Sequence, residues 1–556
     1  MSRRSRSVAL VAATAALVAS LAVPAAAQED PSAGEWPIET QPHQVSGLPR
    51  GTQWVRTNPM LITALSPSMG EPPQTVVSDF FGSFGANATM LWQDGPAEVA
   101  GWQPGGAPNP FITWLANDGT SVVWDPDPTV LDFVSTGEVL GGLGPDHPGR
   151  IAYQVGDEPG SITALDQIQA GIETVRTSDP EALVYTNLSF YVTDPPAVLG
   201  HWQSTVDDDV LMMSDYFFNG LHYTAMEAMR SRALAKGVPY WQYLNAYEGN
   251  ESGGEPIHTE SDLRWQAMAG LVYGFTGFSW FFYQAADGAK HPTATQYGGS
   301  ILFDEVGTWS AAKTPLWAVV AEVNRELANL GPSLTQLRST DVRFIKANHP
   351  SAVQPSLTTP WAPGAGGFPY LTAIRAADGE PPMDIPVGFF VDATGQRYAM
   401  VQNGRHTHSR GADAQALPGA DSAGRIRLEF DFTGAPFTID RSRIEYLDPA
   451  DGKVRVLVLT ELPPAVGAEP NPDLRFAEPL LDPGEPLLFK YTDTIPFRPG
   501  PDIDGVGVVD PVQGVWHLRT ESGVRSFYFG NPGDTPFMGD WDCDGIDTPG
   551  LYRRSD

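Results

Sequence analysis

Cysteine is almost missing: the 556 residues hold a single one, Cys543, which excludes an internal disulfide framework and any cysteine-based zinc site. Basic side chains are also scarce, 34 against 66 acidic ones, and the resulting formal charge of -32 repels phosphate backbones and anionic lipid surfaces. Nucleic acid is therefore excluded as an expected partner. Beyond the first residues no stretch is long and apolar enough to cross a bilayer, so no membrane span is expected after removal of the leader. Metal-ligating histidine pairs are missing from the first 335 residues, where His201, His222, His258 and His291 form neither H-x-H nor H-x-x-x-H. His406 and His408 do form H-x-H, but without an evident carboxylate partner, and are expected on the surface of a hairpin. A metal-dependent hydrolase is thereby disfavoured.

What is present begins with a leader. Arg3, Arg4 and Arg6 precede an apolar stretch from Val8 to Val23 and the small residues Ala25-Ala26-Ala27, the pattern of a secretory signal over residues 1–27. The stretch is short for a membrane anchor, so a secreted, extracellular chain is expected. Residues 28–55 read as a lead-in. With 42% apolar and 10% aromatic residues, a chain of this length builds several cores rather than one.

From residue 56 to 335, short apolar runs alternate with helical stretches, as in a parallel sheet wrapped by helices. Eight runs can be counted: Met60 to Leu65, Ala88 to Trp92, Phe111 to Leu115, Ile151 to Val155, Leu183 to Leu188, Val210 to Ser214, Val238 to Leu244 and Phe275 to Phe282. Eight such strands close a (β/α)8 barrel, so an α/β fold of the TIM-barrel type is expected. Helices are predicted over Ile162 to Thr177 and Thr224 to Lys236, whereas Trp92 to Arg150 is rich in Pro and Gly and gives the weakest βα pattern. From 336 to 495, strand-like runs broken by Gly, Asp and Pro turns predict an antiparallel β-sandwich. A linker is expected at 496–511 and a short β-rich repeat at 512–556.

In such a barrel the reactive groups stand at the C-terminal ends of the strands. The fourth strand ends in Asp157-Glu158-Pro159. Cleaving a glycosidic bond needs a proton donor on the leaving oxygen and a second carboxylate or a substrate-assisted route, and paired carboxyls keep one acid protonated near neutral pH. Glu158 fits the donor role. The plainer alternative is that both acids cap the next helix. Around the same rim the sequence offers Trp92, Trp114, Asn187, Tyr216, Trp241, Gln242, Asn245, Trp280 and Tyr283 as amides and flat rings for sugar hydroxyls and C–H faces, with Asp215 and Glu248 as further carboxylates.

Tyr153-Gln154-Val155-Gly156-Asp157-Glu158-Pro159-Gly160, Val184-Tyr185-Thr186-Asn187-Leu188 and Ser214-Asp215-Tyr216 resemble bacterial barrel glycoside hydrolases related to clan A, typified by the family 42 β-galactosidases. Asp262-Leu263-Arg264-Trp265-Gln266 and Asn324-Arg325-Glu326-Leu327 extend the resemblance over roughly residues 55–335. It implies a carbohydrate substrate, no organic cofactor, Glu158 as acid/base and a nucleophile near the end of the seventh strand, where Glu248 lies late and Asp215 competes. The Asp157–Glu158 pair also resembles that of substrate-assisted hexosaminidases, in which the Asp orients an acetamido group. Near the C-terminus Asp540, Asp542, Asp544 and Asp547 follow a D-x-D-x-D-G-x-D spacing that suits calcium, in surroundings similar to integrin-like FG-GAP repeats; about one repeat is present, so the array is expected to be incomplete. A secreted glycosidase acting on an extracellular or cell-surface glycan is the leading expectation. A noncatalytic carbohydrate-binding or adhesion protein on the same scaffold is the rival.

Overall fold

The computed structural model describes residues 47–66, 71–91, 96–103, 108–124, 133–139, 147–190, 195–218, 220–248, 258–284, 299–350, 352–407, 419, 421–436, 439–464, 466–467, 469–493, 506–510, 515–520, 523–528, 535–539 and 548–552. Residues 1–27, where a leader is expected, Trp92 and the four aspartates Asp540, Asp542, Asp544 and Asp547 lie outside them.

The described residues of the first half of the chain form ten strands: β1 (Leu61–Ser66), β2 (Ala88–Leu91), β3 (Phe111–Leu115), β4 (Thr120–Trp124), β5 (Phe133–Val139), β6 (Arg150–Asp157), β7 (Leu183–Leu188), β8 (Val210–Met213), β9 (Tyr240–Asn245) and β10 (Gly277–Phe281). Eight of them pair in parallel in the order β1-β2-β3-β6-β7-β8-β9-β10, and β10 returns to β1 with Leu61 opposite Gly277. The cylinder is closed, as the eight apolar runs predicted. Helices α2 (Gln74–Phe81), α3 (Pro96–Gly101), α4 (Ile162–Ser178), α5 (Pro195–Thr205), α6 (Gly220–Lys236), α7 (Glu260–Tyr273) and α8 (Pro315–Leu334) follow individual barrel strands; α1 (Arg50–Thr57) precedes them.

Both faces of each barrel strand are apolar because both are covered. Ile62, Val155, Leu211, Leu244 and Phe278 join the helix-side core, while Leu61, Met90, Ile112, Ala152, Tyr185, Met212, Trp241 and Tyr243 fill the interior. Helix α1 closes the N-terminal mouth: Trp54 meets Trp241 edge-on at 5.6 Å, and a Cβ on Gly51 would stand 1.9 Å from the Asp209 carbonyl oxygen. With that mouth plugged, the C-terminal one is left for chemistry. The Pro- and Gly-rich stretch after β3 departs from the repeating unit, for it forms an antiparallel hairpin, β4 with β5, where a helix would otherwise follow.

Between residues 338 and 493 the described residues form two sheets, antiparallel except where Arg338–Ile345 pairs with Thr359–Pro360. One runs Thr359–Pro360, Arg338–Ile345, Ile385–Val391, Arg397–Gln402, Pro486–Asp493, Ile439–Leu447 and Val454–Val458; the other runs Leu371–Ala376, Gly424–Asp431, Leu474–Ala477 and Thr460–Glu461, with Leu480–Leu481 at its side. They share a core that includes Ile385, Val387, Leu428, Phe430 and Phe489. Helix α7 is buried from Ser261 to Tyr273 because it packs on the barrel with one side and on the larger sheet with the other. A capping box of Thr259 and Asp262 starts it and left-handed Gly274 ends it.

His406 is therefore not on the surface, as its hairpin position suggested. It is buried, stacked on Trp265 at 4.0 Å, and its Nδ1 lies 3.0 Å from Asp262 Oδ1, a carboxylate partner supplied by α7 across the domain contact. His408 lies outside the described residues. Further on, Val506–Asp510 is a strand paired with Val515–Thr520, inside the stretch expected to be linker, and Gly523–Tyr528 completes that sheet; Thr535–Gly539 pairs with Thr548–Tyr552.

Candidate active site

The site begins with an irregularity in β6. Ala152 faces the barrel interior and Val155 the helices, and regular alternation would turn Asp157 outward as well. It does not, because the pairing jumps from Gln154 opposite Tyr185 to Asp157 opposite Asn187, three steps on β6 against two on β7. Gly156 makes the jump possible: its φ is 72°, and a Cβ there would stand 2.6 Å from Asn117 Oδ1 and 2.7 Å from Ile168 Cδ1. Glu158 follows with φ 38°, a left-handed conformation for a residue with a side chain, and its N–H donates to the Asn187 carbonyl at 3.0 Å. The bulge delivers two consecutive carboxyls to one mouth.

Neither acid caps α4. That task falls to Ser161, whose Oγ accepts from Ala164 N at 3.2 Å. Asp157 Oδ1 instead accepts from Asn187 Nδ2 at 2.7 Å and, more weakly, from Gln154 Nε2 at 3.4 Å. Glu158 Oε1 accepts from the hydroxyl of Ser214, just past the end of β8. Both acids are half-buried, partly enclosed and partly open at the end of β6.

Burial first, and then the charge of Glu158, push the Asp157 carboxyl well above the usual carboxylate range, against the pull of the Asn187 amide. The phenols facing the pair are driven upward too, by burial and then by their neighbours. For Tyr185 the neighbour is Asp157; for Tyr216 they are Tyr247, Glu158, Tyr243 and Asp157; for Tyr243 they are Tyr185, Asp157 and Glu158. All three stay protonated donors at neutral pH. Tyr243 hydroxyl donates to Gln154 Oε1 at 2.9 Å, which turns the Gln154 amide N–H toward Asp157. Half-buried Tyr216 stacks on Phe281 at 5.7 Å and meets Tyr247 edge-on at 5.5 Å, giving the recess an aromatic wall.

The structure sorts the residues expected at the rim. Asp157, Glu158, Asn187 and Tyr216 come together, and Trp114 faces the interior beside them, its backbone in register with Gln154. Asp215 is buried and holds the turn after β7, its oxygens accepting from Ser189 Oγ and Phe190 N, each at 2.9 Å. Glu248 is exposed, and its Oε2 accepts from Gly299 N at 3.2 Å where Tyr247 bridges to Ser300. Trp241 plugs the opposite mouth with Trp54. Gln242 points outward to His222 Nε2 at 3.0 Å, and Trp280 outward to Asn324 Oδ1 at 2.7 Å. Tyr283 packs among Phe80, Phe84 and Phe303 in the helix layer. Asn245 is buried and spends its Oδ1 on His258 Nε2 and Tyr247 N. Gln242 and Trp280 turn away because strand parity, not residue type, decides which face a side chain takes, whereas Tyr283 lies past the end of β10 and Asn245, on the inward parity of β9, is engaged by its own turn.

Sequence reasoning passed over Ser214, Gln154, Tyr185 and Tyr243. Counting in twos from inward-facing Trp241 and Leu183 places Tyr243 and Tyr185 inside. The signal for Asp157 was Gly156, a glycine in the middle of an apolar strand.

No known family matches the sequence, and no curated protein does. Among solved structures the fold is similar to a rhamnosidase from Novosphingobium sp. PP1Y, with 11% identity, 66% of this chain and 43% of that chain covered and a TM-score of 0.34. This chain thus spans less than half of the length of that rhamnosidase. A GH30 endoxylanase from Clostridium papyrosolvens C71 matches with 11% identity, 78% and 96% coverage and a TM-score of 0.34. A glucosidase from Croceicoccus marinus matches with 11% identity, the same two coverages of 78% and 96%, and a TM-score of 0.32.

Proposed function

We propose that the chain is a secreted glycoside hydrolase that cleaves O-glycosidic bonds of an extracellular poly- or oligosaccharide, with Glu158 protonating the leaving oxygen. The observation that carries the reading is the pair of adjacent carboxyls, Asp157 and Glu158, turned into one half-buried recess at the C-terminal mouth of a closed barrel, with Asn187, Ser214 and Tyr216 around them. A proton held between two carboxyls is available at neutral pH, which is what acid-assisted departure of an alkoxide requires. The tyrosine and amide groups supply hydrogen-bond partners for sugar hydroxyls, and the Tyr216–Phe281 stack offers a face for sugar C–H groups. The charge of -32 and the leader-like N-terminus support action outside the cell on a glycan without strong negative charge. Asp215 serves this reading as a support of the Ser189–Phe190 turn, and Asp157 is the second carboxylate.

Wild type and Glu158→Gln, incubated with a panel of plant, fungal and bacterial polysaccharides, test it by reducing-end release. The wild type is expected to cleave at least one member, and the variant is expected to lose about 10²-fold or more of that rate while still binding the same glycan. Binding by both with cleavage by neither would identify the noncatalytic rival.

A further inference from the structure

Helices α6 and α7 begin where barrel strands end, so their first turns lie at the level of the acid pair, and there the antiparallel sheets reach the barrel. His406, just past the strand Arg397–Gln402, donates from Nδ1 to Asp262 Oδ1 at 3.0 Å. The other Asp262 oxygen accepts from Thr259 N at 3.0 Å, so this carboxylate fixes the first turn of α7. Next to that cap is His258, whose Nε2 donates to Asn245 Oδ1 and to the Tyr247 carbonyl, each at 3.0 Å, while Tyr247 N donates to Asn245 Oδ1 at 3.1 Å. His258 and Asn245 between them hold both polar groups of the Tyr247 backbone.

A second line runs through rings. His406 stacks on Trp265 at 4.0 Å, and Trp265 leans on His222 at 5.2 Å. The Asp215 carbonyl, 3.1 Å from His222 Nδ1, can only accept, so Nδ1 carries the hydrogen and Nε2 accepts from the Gln242 amide at 3.0 Å. Asp215 immediately precedes Tyr216, and Phe218, just beyond, is wedged against His258 at 4.7 Å, Trp265 at 6.1 Å and His406 at 6.5 Å. Both lines end on Tyr216 and Tyr247, the rings that meet edge-on at the mouth of the barrel.

We infer that His406 is a positioning residue for this aromatic wall: the second half of the chain, through one imidazole, sets where Tyr216 and Tyr247 stand and so how tightly a sugar ring is held. This rests on the reading of the recess as the glycan site and adds to it a residue contributed from outside the barrel. His406, Asp262, Trp265, His222, His258 and Phe218 are all buried, and close-packed interiors pass a displacement on to their neighbours.

Hydrogen exchange on the full-length chain tests it without substrate. The amides of Phe190, Ser214 and Tyr247 are bonded to Asp215 Oδ2, the Leu188 carbonyl and Asn245 Oδ1, and in His406→Ala they should exchange at least about tenfold faster, while Thr89 and Phe111, bonded on the far side of the barrel, keep their wild-type rates. His406→Asn, which places an amide N–H where Nδ1 stood, should restore much of the protection. Asp421→Asn removes an acceptor of Ser261 at the same contact but off both lines, and should leave the three amides unchanged. Phe218→Leu, which interrupts the second line at its other end with the His406–Asp262 bond in place, should speed Ser214 and Phe190 as His406→Ala does, and it carries the test if His406→Ala does not fold. On a cleaved oligosaccharide, His406→Ala should raise KM about fivefold or more and change kcat by less than about twofold. Equal acceleration of all five amides, no acceleration of the three, or a collapsed kcat at unchanged KM would overturn the inference. Exchange as expected in a chain that cleaves nothing would count against the hydrolase reading alone.

Discussion

At residue 158 a side chain occupies backbone that favours glycine. With φ 38°, Glu158 bears a strain of about 1–3 kcal/mol, which the surrounding bulge and the bond from its N–H to Asn187 sustain. Glycine would relieve that strain at a backbone-entropy cost of about 0.5–1 kcal/mol. Glu158→Gly is therefore expected to be more stable than Glu158→Gln by about 1 kcal/mol in denaturant unfolding, with both variants inactive. Equal stabilities would show that the left-handed conformation costs nothing here. A second contrast sits three residues on, where Ser161→Ala should cost about 1 kcal/mol by loss of the α4 cap and leave cleavage unchanged, because that cap and the acid pair are separate devices.

Among elements, α7 joins the two halves of the molecule. The larger sheet approaches it so closely that a Cβ on Gly388 would lie 2.0 Å from the Val272 carbonyl oxygen, and Gln402 Nε2 donates to the Trp265 carbonyl at 3.1 Å. Gly388→Ala is expected to destabilise the fold by about 1–3 kcal/mol, read as a lowered unfolding midpoint, with kcat/KM little changed because the contact is far from the acid pair along α7. The elements were largely legible in the sequence. All eight barrel strands fall where apolar runs of strand length occur, since both faces of such a strand are covered and the run is continuous. The β4–β5 hairpin was not legible, because Pro and Gly show where a helix is unlikely to form without showing what replaces it. The site was half legible. Asp157, Glu158, Asn187 and Tyr216 were marked by position at strand ends, but Gln242 and Trp280 were chosen for their chemistry and belong to the outward parity of their strands, and Tyr283 lies past the end of β10 in the helix layer. His406 was misplaced for a related reason: its carboxylate partner, Asp262, is 144 residues away in sequence.

For the whole molecule the consequence is a pH dependence of stability. Burial raises Asp208 to about 6 against the pull of Lys236, Asp384 to about 6, and Glu485 to about 7 from an ordinary 4.5. Below their ordinary values these groups are protonated in both states; above them the folded chain holds protons that the unfolded chain has released, so stability falls as pH rises toward 7. His222 acts the other way, because burial lowers it to about 4 and its contribution is lost as pH falls below its ordinary 6.5. Above that value only the carboxyls act. The unfolding temperature is therefore expected to fall between about pH 6.5 and 8, because Glu485 and the Asp157 carboxyl, which burial also raises, both act in this direction, and Glu485→Gln is expected to make the decline shallower. A rise over the same interval would show that Glu485 is ionised in the folded protein.

The claim on which all of this depends is that a glycan lies in the recess with its scissile oxygen at Glu158, and a structure of Glu158→Gln bound to an oligosaccharide that the wild type cleaves tests it most directly. The expected result is a glycosidic oxygen within about 3 Å of the side chain at position 158, with a sugar face against Tyr216. A glycan bound on the antiparallel sheets, with the mouth of the barrel empty, would contradict it.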